Sequence, residues 1–145
     1  MEQHLKLIGY LLNILALVHI IFPRYFKWEQ ELAQLSLINR QLMYVHTFFI
    51  ALVVCFMGLL CLFQAQALVS TPLGAYICAG FFGFWFLRLL IQFFGYSSKL
   101  WYGKTFETLV HIAFTFLWIY LSFIFGFIAY QGLFSNSAYT QALGF

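Results

Sequence analysis

Residues 106–130 read F-E-T-L-V-H-I-A-F-T-F-L-W-I-Y-L-S-F-I-F-G-F-I-A-Y, with Glu107 near the start and no charged residue after it. Crossing a hydrocarbon core takes roughly 20 mainly apolar residues in a helix. A helix of that length bonds its own backbone N–H and C=O groups, as lipid requires. At about 100° per residue, Glu107, Thr108, His111, Thr115, Trp118, Ser122, Gly126 and Ala129 fall on one arc of roughly 100°. Ile, Leu and Phe occupy the opposite side. Lipid supplies no hydrophobic drive between helices, so a small and polar stripe marks a seam for close approach to another helix.

Three further runs of this kind precede it, at about 5–22, 43–63 and 73–95. The chain has 145 residues, of which 64% are hydrophobic, 23% aromatic and only 8% charged. Mean hydropathy is +0.92, and soluble domains carry about 25% charged residues. These values define an all-α integral membrane protein, a four-helix transmembrane bundle. Four spans leave no length for a second domain, so 1–145 reads as a single transmembrane domain in contact with the lipid bilayer. The first run follows Lys6 but has no small-x-small cleavage pattern before Pro23, so it reads as a retained span. The net charge of +3 is spread over the connections. It makes no basic face, and nucleic acid is not an expected partner.

The connections set the orientation. Arg24, Lys27 and Arg40 fall in the first, Lys99 and Lys104 in the third, and none in residues 64–72 or after Tyr130. The positive-inside rule places both termini outside and these basic connections in the cytoplasm, across a bacterial-type inner (cytoplasmic) membrane. Trp28, Leu32 and Leu35 recur at i, i+4 and i+7 with Glu29, Glu31 and Gln34 between them. This predicts a short interfacial amphipathic helix between spans 1 and 2. Pro23 is expected to end the first helix. Ser70, Thr71, Pro72 and Gly74 suit a turn, Ser97 and Ser98 a second one, and the tail from Gln131 is expected to be mobile.

Nearly all the ionisable residues inside the runs lie at one end. His19 closes the first run, His46 opens the second, Arg88 and Gln92 come late in the third, and Glu107 and His111 open the fourth. Antiparallel packing collects them near the cytoplasmic leaflet, and polar groups at membrane depth are by default candidate functional sites. Helical phase groups Gly9, Asn13, Ala16, His19 and Pro23 in the first run, and Gly74, Cys78, Phe81, Trp85, Arg88 and Gln92 in the third. In the second run Thr47, Ala51, Val54 and Gly58 share a stripe, from which His46 is rotated away.

His111, His19 and Glu107 are candidate metal ligands, since imidazole and carboxylate suit zinc, iron or copper. A haem held between His46 and His111 is a related expectation. A quinone or lipid head group met by His111, Glu107, Arg88 and His19, entering sideways from the leaflet, is another. Each cofactor expectation serves membrane redox or related chemistry. The competing reading makes the same residues interhelical locks, with Arg88 paired to Glu107, in an accessory subunit of a membrane complex or a homo-oligomer. Cys55, Cys61 and Cys78 form no C-x-x-C and read as small buried residues.

Overall fold

The computed structural model describes residues 1–97 and 103–135. Its helices are α1 (Glu2–Tyr25), α2 (Trp28–Glu31), α3 (Leu37–Phe63), α4 (Ala65–Ser70), α5 (Pro72–Phe94) and α6 (Thr105–Tyr130), followed by a π-helical turn at Gln131–Ser135. The described residues contain no strand. Four helices are long and apolar enough to cross a membrane: α1, α3, α5 and the continuous stretch Thr105–Phe134. Contacts divide the chain into two units, Glu2–Ala65 and the segment from Gln66 onward.

In the first unit α1 and α3 pair antiparallel, because their seam positions are nearly bare. A Cβ on Gly9 would lie 2.8 Å from the Gly58 carbonyl oxygen and 2.5 Å from Leu62 Cγ. Asn13 donates to the Gly9 carbonyl at 2.8 Å, and the Cys55 thiol donates to Asn13 Oδ1 at 3.4 Å. Small residues and one interhelical polar contact hold this pair, as lipid-embedded helices require.

Both helices outrun their apolar cores. Helix α1 continues through Pro23 to Tyr25. Proline removes one i→i−4 bond, but so close to the helix end only two residues follow it. Helix α3 begins at Leu37, six residues before the apolar run at 43, since 37–42 hold no glycine or proline to stop it. That extension shortens the intervening helix to the single turn Trp28–Glu31, entered through Lys27 in the left-handed region at φ 48°. Trp28 meets Tyr44 edge-on at 5.4 Å, which fastens this turn to α3.

The second unit opens with α4, where the sequence suggested only a turn. Thr71 caps α5 by accepting from the Gly74 amide at 3.0 Å, and Pro72 fills the first helical turn, where no amide partner is needed. Gly74 lies against the backbone of Ala67 and Leu68, leaving no room for a side chain. Helices α5 and α6 run antiparallel in one register. Gln92 faces His111, Trp85 faces Trp118, Phe81 faces Phe125, and Gly126 admits Phe82. The final π-helical turn then brings Gly132 onto Ala75. Of the segment expected to be mobile, 131–135 is helical, while 136–145, Ser98 and Lys99 lie outside the described residues.

Candidate intramembrane polar site

The register of α5 and α6 assembles one polar chain. Arg88 Nη1 donates to Gln92 Oε1 at 3.0 Å, and Gln92 Nε2 lies 2.6 Å from His111 Nδ1. An arginine has only donors, so it fixes the oxygen of the Gln92 amide toward itself. The amide nitrogen must then point at His111, and Nδ1 must accept. The ring proton therefore sits on Nε2. Thr115 returns its hydroxyl to the His111 carbonyl at 2.8 Å, so it does not compete for the ring.

The Arg88 guanidinium also lies 5.1 Å from the Trp118 ring and 5.6 Å from the Tyr96 ring, both within cation–π range. Trp118 is stacked on Trp85 with centroids 5.0 Å apart and planes 13° apart. Gln92 is 5% exposed, Trp85 2%, Trp118 4% and Ser122 6%. Three buried polar atoms along this seam have no hydrogen-bond partner among the described residues: Trp85 Nε1, Trp118 Nε1 and Ser122 Oγ. Ser122 is notable because Ser70 and Thr115 both bond the carbonyl four residues back, whereas Ser122 does not.

Arg88 has no carboxylate partner among the described residues. The expected Arg88–Glu107 pair is absent, and register explains why. With Gln92 level with His111, Glu107 falls opposite the stretch past Phe94, where α5 has already ended. The guanidinium is held instead by Gln92 and over the Trp118 and Tyr96 rings. Glu107 is also exposed, while His111 is half-buried and the fully buried part of the α6 stripe starts at Trp118. Arg88 sits six residues before the end of α5, about 9 Å inside it. That is beyond the last turn, where the helix dipole could offset its charge.

His19 and His46 belong to the first unit. Each ring uses Nδ1 on its own helix, His19 with the Leu15 carbonyl at 2.7 Å and His46 with the Leu42 carbonyl at 3.1 Å. His19 is half-buried against Phe22, and His46 is exposed, in keeping with its position off the α3 stripe. Among the described residues no three His, Cys, Asp or Glu side chains are grouped to hold a metal ion. The sequence placed Trp85, Trp118 and Ser122 on seam stripes and expected Ser122 to hydrogen-bond between helices; its hydroxyl has no such partner among the described residues. The only signal for them was their shared face with Arg88, Gln92 and His111.

Fold and site together define a multi-pass α-helical membrane protein with a cationic polar chain inside one helical hairpin. No protein-family model, no curated protein and no solved structure matches the chain.

Proposed function

We propose that this protein binds, from within the bilayer, a lipid-borne ligand whose head group carries hydrogen-bond acceptors, at Arg88, Gln92 and His111. The single observation that carries this reading is an arginine well inside a span whose only hydrogen-bond partner among the described residues is a neutral amide. Even a half-buried charge within a span is costly without a counter-charge, and such groups accompany ligand or ion sites. The quinone or lipid head group expected from the sequence meets this donor set. A metal or haem at His111 fits it less well, because Nδ1 is held by Gln92 and Nε2 carries the proton. His19, Glu107 and His46 keep only a supporting place in this reading. The protein would lie in a cytoplasmic membrane with the site toward the cytoplasmic leaflet, where a quinone ligand would make it part of membrane redox chemistry.

One observation favours the accessory reading. The Gln92–His111 bond joins α5 to α6, which a purely structural lock would also do. Titration of the purified protein in nanodiscs with a short-chain benzoquinone and with a medium-chain carboxylate, read by tryptophan emission, separates the two. Saturable binding of either probe that Arg88→Leu weakens at least tenfold is expected. Binding of neither, or equal binding to the variant, overturns the ligand reading in favour of a lock.

A further inference from the structure

The donors of this seam outnumber its acceptors. Arg88 has five N–H donors, and one of them is used on Gln92 Oε1. Among the described residues the indole N–H groups of Trp85 and Trp118 add two donors without partners, and the Ser122 hydroxyl a third polar group without one. The amide oxygen of Gln92 and Nδ1 of His111, which would otherwise accept from a ligand, are both engaged. The excess of donors favours a ligand that accepts, and the charge on Arg88 favours one that is anionic.

Ser122 is also where the polar seam meets an apolar groove. The groove runs along α5 and α6 past Phe82, Gly126, Phe127, Leu133 and Phe134, with a volume of about 560 Å³. Ligand sites fall in the range of roughly 300–1,000 Å³. Ser122 is one helical turn from Trp118, and Trp118 lies under Arg88, so cation, orphan donors and groove follow one another along the same hairpin. A flat head group alone would leave the groove unexplained. A neutral tail alone would leave the cation unexplained.

We infer that the ligand is a long-chain carboxylate, its head neutralised by Arg88 beside the donors of Trp85, Trp118 and Ser122, and its hydrocarbon chain lying in the α5–α6 groove. This rests on the reading of Arg88 as the head-group site. Charge complementarity selects the carboxylate over a quinone, which accepts hydrogen bonds but brings no counter-charge.

The test is equilibrium binding of labelled palmitate to the full chain in phosphatidylcholine nanodiscs, with acetate and a decyl benzoquinone as comparison probes. Palmitate is expected to bind saturably and acetate at least a hundredfold more weakly. Arg88→Leu is expected to lower palmitate affinity at least tenfold. So is Ala79→Phe, which fills the groove wall, or Leu133→Trp if that variant does not fold. Gln92→Glu supplies an internal counter-charge and is expected to displace the carboxylate without unfolding the hairpin. Quinone binding that depends on Arg88, with no palmitate binding, overturns this inference and leaves the head-group site standing. Palmitate binding unaffected by the groove variants also overturns it. Binding of every probe that is indifferent to Arg88 removes the head-group site as well.

Discussion

Replacing Gln92 by Leu is the most direct probe of the polar chain. The two side chains are close in volume, so the 5% exposed site stays filled and the loss is one of hydrogen bonds. Two are lost. The bond from Arg88 involves a charged donor, a class worth about 1.5–3 kcal/mol. The interhelical bond to His111 belongs to a class that averages about 0.6 kcal/mol in membranes, with a maximum near 1.7. Arg88 is half-buried and can extend toward Tyr96, which recovers part of the first term. The expected net loss is therefore about 1–3 kcal/mol, carried mainly by Arg88. Gln92→Glu makes the contrast. A carboxylate about 3 Å from the guanidinium gains about 5 kcal/mol at an effective dielectric of 20, and its desolvation costs several kcal/mol. That variant should stay within about 2 kcal/mol of the parent. Unfolding in mixed detergent micelles, followed by the emission of Trp85 and Trp118, measures both. If Gln92→Leu is as stable as the parent, the Arg88–Gln92–His111 chain does not bear on the folded state, and the reasoning from it fails.

Glycine substitutions should divide by the space around them. Gly58→Val is expected to separate α1 from α3, since a Cβ there would lie 2.5 Å from Asn13 Nδ2 and 3.0 Å from the Gly9 carbonyl. Gly80→Ala meets nothing within 4 Å and should stabilise α5 by about 0.5–1 kcal/mol; thermal unfolding in detergent reads both, and reversed signs would refute the packing. The stacked Trp85–Trp118 pair should give a coupled near-ultraviolet circular dichroism band that Trp118→Phe abolishes while far-ultraviolet helicity is kept; an unchanged band means that the rings are not stacked. A periplasm-active reporter fused after Phe145 is expected to be active and a cytoplasm-active one silent, and the opposite pattern would invert the proposed topology.

Sequence periodicity alone was enough for the class, the number of spans and most of the seams. The reason is physical: in lipid the backbone must be helical, and small or polar residues must turn toward other helices. Gly9, Gly58, Trp85 and Trp118 were each legible as seam positions from spacing, but which of them meet was not. Helix ends were less so. Residues 37–42 extend α3 because no residue there breaks a helix, and Ala65–Ser70 is helical although its polar residues look like a turn. Pro23 looked like a stop, yet the helix carries it in its last turn.

What the sequence left open is which polar residues meet. Arg88 and Glu107 both lie toward the same end of the bundle in their runs, and opposite charge makes them natural partners. The tertiary register, a matter of how Gly126 admits Phe82 and Trp85 stacks on Trp118, slides α6 so that His111 and not Glu107 faces Gln92. A shift of a few residues along a helix moves a side chain by several ångströms, more than the length of a hydrogen bond. Sequence therefore determined that the chain crosses a membrane and carries a cation inside one span. The i, i+4 spacing within α5 sets Gln92 beside this cation. Only the packing of α5 against α6 brought His111 to Gln92 and left the cation without a carboxylate among the described residues.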